Sequence, residues 1–582
     1  MSGPVAVIGY AAHLPGGDSL DDLDDFLTTG RSAVRTHSRE ELLEQGVAPA
    51  EADRPDYVPR SASTGWTVEG AKHIDMLSAR ERLVTDPQQL LFLDCAVAAL
   101  EDAGIPLREV SGREVACVGG VGMGLYAGNG LSSHFTEHLR HDTALLEESV
   151  PPEILVGNAS DHTVGRVAYR LGLTGPAVNV QTACSTALAS VEYACLLLRS
   201  GRVGLALAGA ASLYFPRVRG YRYERGGILS ADGVWRAFDA EADGTVGGSG
   251  GGVFVLKRLD DAVRDGDRVH GVVEGIHMGS DGSARASYTA PAYDGQLRVL
   301  RGALRDAGAR PDDLAHLEAH GTGTPVGDLV ELSVLNEVFA DRATPLPVGS
   351  VKPALGHLDT AAGVASLVNV LLGLRRGSMP GTVNFTRTPD ALSGGVARPS
   401  AAPTELVPGP DGLVRVGISC FGASGTSVHA VLSDRAVTVP RRDRPASAAP
   451  ASGAAAASTR AASAAPASGA ADAGPGSAAS TATARVESAT VPGHPADAET
   501  VRREVLELVL DRIAADRPDP EAAGSLGAVE LGLDSVDLLA VGKVIASRWG
   551  VELDVIDMLM FSSVDEMIDE ITGRVAGGGT GS

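Results

Sequence analysis

The sequence predicts an α/β protein followed by a small all-α domain, and three features predict it. From Pro4 to about residue 434, short apolar runs of strand character alternate with longer amphipathic stretches of helical period. From about 435 to 497, Ala, Ser, Pro, Gly and Thr replace nearly every large apolar residue. From about 498 to 575 only helical patterns return. The expected organisation is therefore a large domain over 1–434, a linker over 435–497 and a helical domain over 498–575.

The strands come in order. Val5-Ala6-Val7-Ile8-Gly9 opens the chain, and Val115–Gly119, Gly204–Ala208 and Val253–Leu256 repeat the pattern. A further strand-like stretch ends at Gln181. Small residues then turn the chain into a long apolar helix beside Cys184, in the run Gln181-Thr182-Ala183-Cys184-Ser185-Thr186. A thiol at a helix N-terminus meets free N–H groups and the positive end of the dipole, which favour thiolate. Thiolate is the nucleophilic form for covalent acyl chemistry. A lone cysteine on an apolar helix is more often a packed structural residue. Here two histidine loops accompany it at long range, Glu318-Ala319-His320-Gly321-Thr322-Gly323-Thr324 and Ser350-Val351-Lys352-Pro353-Ala354-Leu355-Gly356-His357. Each follows a short apolar strand, where catalytic groups collect.

These words, together with Asp86-Pro87-Gln88-Gln89 and Gly417-Ile418-Ser419-Cys420-Phe421-Gly422-Ala423-Ser424-Gly425-Thr426-Ser427, resemble the β-ketoacyl synthase (ketosynthase) family in its type I polyketide synthase branch. The resemblance runs from about Pro4 to Asp434. It implies a thiolase-like fold, layered αβαβα with two similar halves, and a homodimer. It also implies roles. Cys184 accepts an acyl group from an upstream acyl carrier protein. His320 and His357 hydrogen-bond the enolate of a decarboxylating malonyl thioester, and Lys352 orders them. The backbone N–H groups of Cys184 and Ala423 form the oxyanion hole, and Thr322 and Thr324 hold the His320 loop. The variants Gln181 and Gly244–Gly250 resemble ketosynthases of hybrid polyketide/peptide systems.

Some positions depart from the family pattern. Cys420 and Ser427 stand where Ser and Asn are usual, so the hydrogen bonding of that loop must differ. Ala423 is smaller than the usual Phe or Ile, which leaves room in the acyl pocket unless a neighbour fills it. Pro353 and Ala354 replace a polar pair before His357, and proline removes a backbone donor, so weaker support for His357 is expected.

Composition narrows the rest. A net charge of −24 argues against nucleic acid and anionic membranes as partners. Five cysteines, an odd number, fit reduced thiols, and the opening residues read as strand rather than signal peptide; both lead to a cytoplasmic expectation. The apolar run Val364–Leu374 is too short to span a membrane. Lysine occurs only at 72, 257, 352 and 543, so Lys352 in a catalytic-looking loop stands out, whereas Lys257 reads as ordinary surface.

The linker cannot bury enough apolar surface to offset its ordering entropy, so it reads as a flexible tether of about 40–45 Å root-mean-square span. Beyond it, Val501–Ile513 reads as an amphipathic helix, Leu531-Gly532-Leu533-Asp534-Ser535-Val536-Asp537 opens a second through Trp549, and Ser563 caps another. A serine at a helix start is commonly a cap. In a short helical domain after a linker, this motif resembles acyl carrier proteins, which implies 4'-phosphopantetheine on Ser535 and a phosphopantetheinyl transferase as partner. No acyltransferase-like Gly-His-Ser-x-Gly motif and no dinucleotide fingerprint follow, so a discrete acyltransferase is expected to load the extender. The expected reaction is decarboxylative condensation in polyketide or hybrid biosynthesis. Two alternatives stand beside it: transfer of chains without elongation, and an inactive docking module whose carrier alone works.

Overall fold

The computed structural model describes residues 3–124, 126, 152–283, 285 and 290–438. In the C-terminal region it describes 498–512, 519–527, 531, 533, 535–551, 553, 558, 561 and 563–577. The expected linker, apart from 435–438, lies outside them. Thr438 still bonds to the large domain, its N–H donating to the Val269 carbonyl at 3.1 Å.

The large domain is built twice on one plan. Its first half holds β1 (Val5–His13), α1 (Pro87–Asp102), β2 (Val115–Val121), β3 (Ala177–Asn179), α2 (Thr186–Arg199), β4 (Leu205–Ser212) and β5 (Gly248–Arg258). The second holds β6 (Gly271–Ser280), α3 (Tyr293–Asp306), β7 (His316–Glu318), α4 (Pro325–Val338), β8 (Leu346–Gly349), α5 (Ala362–Arg376), β9 (Ala397–Pro399), β10 (Arg415–Phe421) and β11 (Thr426–Ser433). The strand order is β1-β5-β4-β2-β3 in one half and β6-β11-β10-β7-β8 in the other, with β9 outside β8. In both, the first three strands pair antiparallel and the last pairings are parallel. β1 and β6 pair antiparallel and join the halves.

Strand alternation sends successive side chains to opposite faces, and the layers follow. Val5 and Val7 of β1 and Val428, Ala430 and Leu432 of β11 share one core with α2 and α5. Ala6 and Ile8 face the other way, onto α1. Leu317, Val348 and Val431 pack on α3 and α4. The order is helix, sheet, central helices, sheet, helix, as the resemblance implied. Central placement also explains α5: a helix apolar on every side is buried on every side. Among the described residues no helix is long and apolar enough to cross a membrane.

In the C-terminal region, α6 (Ala498–Leu510), α7 (Ser535–Trp549) and α8 (Val564–Gly577) share a separate core that includes Val505, Leu538, Ile545 and Ile568. The first of these helices ends three residues earlier than its pattern suggests, and residue 513 lies outside the described set. Ser563 does cap α8, its Oγ accepting the Glu566 N–H at 3.2 Å.

Candidate active site

Cys184 sits on a sharp elbow. After β3 the chain makes a short turn at Ala183–Ser185 before α2 begins at Thr186. Ala183 carries φ +53°, a left-handed conformation that costs a non-glycine residue about 1–2 kcal/mol. The turn is tied across the domain: Ser185 Oγ donates to the carbonyls of Thr182 and Thr426, both at 2.8 Å. Gly422 lies so close that a Cβ there would stand 2.2 Å from the Thr182 carbonyl oxygen. This approach brings the Ala423 backbone N–H to the Cys184 sulfur.

The expected resting thiolate is not what this elbow gives. Burial pushes the Cys184 thiol up to about 12, with Asp359 and Cys420 adding to the rise, while the Ala423 N–H and Lys352 pull the other way. Cys184 precedes the helix proper by two residues, and desolvation of the anion outweighs what the local N–H groups offer. The thiol is therefore neutral at rest.

His357 is held by its backbone and by its ring. Its N–H donates to the Val246 carbonyl at 2.8 Å, and its carbonyl accepts the Gly248 N–H at 2.8 Å. Its Nδ1 accepts the Asp359 backbone N–H at 2.9 Å, which leaves the ring proton on Nε2. Trp235 stacks on the ring at 5.9 Å between centroids. Pro353 does not weaken this support. It sits in the first turn of the short helix Lys352–Leu355, where a missing N–H leaves no bond unmade, and its carbonyl accepts the Ser32 hydroxyl at 2.7 Å.

His320 stands edge-on to His357 at 6.3 Å and to Phe421 at 5.5 Å. The Glu331 carboxylate of α4 accepts its N–H and that of Gly321, each at 2.8 Å. Asp328, one turn earlier, accepts the Gly323 N–H at 2.9 Å and the Phe238 N–H at 2.5 Å. Thr322 and Thr324 bond to each other at 2.9 Å within this loop. Burial, Lys352 and His357 hold the His320 imidazole well below its usual range, and burial with Lys352 lowers His357 to about 4. Both rings are neutral near pH 7.

Lys352, wholly buried, donates from Nζ to the Ala319 carbonyl at 3.1 Å and to Ser366 Oγ at 3.2 Å. It thus holds the peptide that leads into His320. Glu318 completes the network, accepting from the Val351 N–H at 2.9 Å, Ser366 Oγ at 3.3 Å and Asn369 Nδ2 at 2.8 Å. Burial raises the Glu318 and Glu331 carboxyls to about 7 each, against the pull of Lys352. By contrast Lys257, expected at the open surface, is partly buried against Asp265 and Asp267 at 2.6 Å.

A cavity of about 440 Å³ opens beside the elbow, lined by Gly122, Asn158, Gln181, Ala183, Asp359 and Thr360 among others. Cys184, His320, His357, Lys352 and Ala423 therefore belong to one site assembled from both halves. Ser535, on the separate helical region, is the first residue of α7, with Leu531 and Leu533 buried ahead of it; Asp534 lies outside the described residues. Sequence reasoning assigned no role to Glu318, Glu331, Asp328 or Trp235. Glu318 stood inside a quoted motif, and Asp328 and Glu331 lie within the two turns of α4 that follow the His320 loop.

Comparison with known proteins agrees with this geometry. The β-ketoacyl synthase N-terminal domain matches residues 2–262, and the β-ketoacyl synthase C-terminal domain matches residues 270–386. One subunit of the phenolphthiocerol/phthiocerol polyketide synthase of Mycobacterium tuberculosis is 36% identical over 451 residues, 74% of this chain and 29% of that protein. The chain thus spans under a third of the length of the curated relatives it matches. Ketosynthase twelve of the bacillaene polyketide synthase from Bacillus amyloliquefaciens is 31% identical with a TM-score of 0.66, covering 74% of this chain and 75% of that one. An oxazolomycin ketosynthase domain from Streptomyces albus JA3453 is 28% identical with a TM-score of 0.63, covering 75% of each. With its duplicated thiolase-like domain and a site that gathers the cysteine and the two histidines around Lys352, this chain belongs to the β-ketoacyl synthase family, in the company of polyketide synthase ketosynthases.

Proposed function

We propose that the chain carries out decarboxylative Claisen condensation and delivers the product on a carrier arm. Cys184 takes an acyl group from an upstream carrier thioester, and the oxyanion of that transfer lies against the N–H groups of Ala423 and Cys184. A malonyl-type thioester then enters. Its carboxylate leaves as carbon dioxide, and the α-carbon pair attacks the Cys184 thioester carbonyl. The sulfur leaves, and a 3-oxoacyl thioester remains on the carrier. The observation that carries this reading is the state of the histidines. A neutral His357 with its proton on Nε2, beside a neutral His320, offers hydrogen bonds where enolate charge develops. A resting thiol suits the same sequence: the half-buried Cys184 attacks as its proton passes to the departing carrier sulfur, so the sulfur ionises only as it reacts.

The C-terminal helices are read as an acyl carrier domain. Ser535 at the first position of α7 fits the attachment of 4'-phosphopantetheine, which supplies a long arm ending in a thiol. The reading includes a phosphopantetheinyl transferase and a discrete acyltransferase as partners, and a cytoplasmic setting without nucleic acid or membrane. It also includes a homodimer. Among the described residues β3 pairs with β2 alone, and Tyr193 and Leu196 of α2 are exposed, which leaves an edge and an apolar surface for a second copy.

The test is carbon dioxide release. Acyl-loaded protein given a malonyl carrier should release one carbon dioxide per 3-oxoacyl product. Return of the acyl group to a carrier without carbon dioxide would establish the chain-transfer alternative. Neither acylation of Cys184 nor carbon dioxide release, with Ser535 still modified, would leave only a carrier.

A further inference from the structure

The loop that carries Ala423 is held from outside the site by a buried ion pair. Arg285 and Asp281 lie 3.6 Å apart between Nε and Oδ2, with side chains only 8% and 5% exposed. Arg285 Nε donates to the Ala290 carbonyl at 2.7 Å, and Nη2 donates to the Ala423 carbonyl at 3.1 Å. Asp281 grips the same loop further on. Its N–H donates to the Gly425 carbonyl at 2.8 Å, and its Oδ1 accepts the Ser427 hydroxyl at 3.3 Å. Ser427, which departs from the usual Asn, thus has a defined partner. Gly425, at φ +89°, admits the guanidinium: a Cβ there would stand 2.6 Å from Arg285 Nη1.

One residue therefore has its two backbone groups pinned from opposite sides. The Ala423 N–H faces the Cys184 sulfur, and the Ala423 carbonyl is taken by Arg285. An oxyanion-hole donor is effective only when already aimed where charge develops. The loop tip is exposed at Ala423 and Ser424. The peptide that carries the Ala423 N–H is held at its other end by the Gly422 carbonyl, which accepts the Gly425 N–H at 2.8 Å. Arg285, by holding the next peptide, fixes the φ and ψ of Ala423 between the two. We infer that Arg285, braced by Asp281, is a positioning residue for acyl transfer: it sets the direction of the Ala423 N–H and so preorganises the oxyanion hole. This rests on the acyl-transfer reading of Cys184.

The experiment separates two reactions of the same sulfur. Acetylation of Cys184 by p-nitrophenyl acetate passes through a tetrahedral oxyanion, whereas alkylation by iodoacetamide does not. Both are read by mass spectrometry of the Cys184 peptide in wild type, Arg285→Ala and Arg285→Lys. A change in thiol ionisation or a general loosening moves both rates together. The inference expects acetylation to fall at least about tenfold more than alkylation in Arg285→Ala, approaching the 10²–10³ seen when an oxyanion donor is removed. Arg285→Lys keeps a cation but loses the fork, and should fall between. An unchanged ratio of the two rates in Arg285→Ala overturns the inference while leaving Cys184 as nucleophile. No acetyl group on Cys184 in the wild-type chain overturns the acyl-transfer reading itself.

Discussion

Replacing Lys352 by Met keeps most of the side-chain length and removes the charge. The ammonium makes two hydrogen bonds inside a fully buried network, at 3.1 Å to the Ala319 carbonyl and 3.2 Å to Ser366. Bonds to a charged group contribute about 1.5–3 kcal/mol each, and breaking a buried ionic network from one side costs about 3–5 kcal/mol. That cost depends on pH. Burial raises Glu318 and Glu331 to about 7; Lys352 is the foremost group lowering Glu318, while for Glu331 it comes after the Gly321 and His320 N–H groups, so without the cation Glu318 rises most. A carboxyl with a raised folded pKa keeps a proton that the unfolded chain has lost. Its favourable contribution is full below the unfolded value and declines as pH rises through the folded one. In the wild type that decline ends a little above pH 7; in the variant it continues to higher pH. Lys352→Met should therefore be least destabilised near pH 6 and most near pH 8.5. Urea unfolding of both proteins at the two pH values measures this. An equal loss of stability at both would refute the account of these carboxyls as groups restrained by Lys352. With the Ala319 peptide released, malonyl decarboxylation should also drop at least tenfold while the fold persists at pH 6.

Other outcomes follow from the same geometry. Alkylation of resting Cys184 by iodoacetamide should accelerate about tenfold per pH unit from 7 to 9.5, because the thiol titrates near 12; a plateau below pH 9 would restore the helix-terminus thiolate. Cys184→Ala should form no acyl adduct outside Ser535, as seen by intact mass. His320→Ala and His357→Ala should lose on the order of 10²–10³ in decarboxylation and less in Cys184 acylation; equal losses in the two half-reactions would make the rings structural. A phosphopantetheinyl transferase with coenzyme A should add one arm, at Ser535, and Ser535→Ala should take none. The holo-protein should then need a separate acyltransferase before malonyl appears on Ser535, and rapid self-loading would reveal a site not described above.

Much of the site was legible because its groups sit in contiguous words. Cys184 and His320 each lie in a turn just after a strand, Lys352 and His357 bracket the short helix Lys352–Leu355, and local sequence carries such turns. What was not legible depends on pairing across the chain. The match between β1-β5-β4-β2-β3 and β6-β11-β10-β7-β8 lies in hydrogen-bond partners, not in residue types. The thiol's ionisation could not be read from the elbow, since burial by the second half decides it and no local signal reports burial. Arg285 gave no cue at all: its contact with the Ala423 carbonyl spans 138 positions. Pro353 misled for a simpler reason, because a proline's cost depends on whether its position needs a donor, and the first turn of a helix does not.

The two central helices give the duplication a mechanical meaning. Cys184 precedes α2, and Thr360 precedes α5 at the matching place in the other half, each just after a residue of left-handed φ, Ala183 at +53° and Asp359 at +48°. The helices meet closely enough that a Cβ on Gly363 would stand 3.1 Å from the Ala187 Cβ. The turn that carries Cys184 and the turn that lines the cavity with Asp359 and Thr360 thus lead into two rods whose closest approach sets a hydrogen atom on one against a methyl group on the other. The spacing of the two turns is fixed by packing in the middle of the protein. A methyl group added at Gly363 would require the rods to give by a few tenths of an ångström, and the turns at their N-terminal ends to follow.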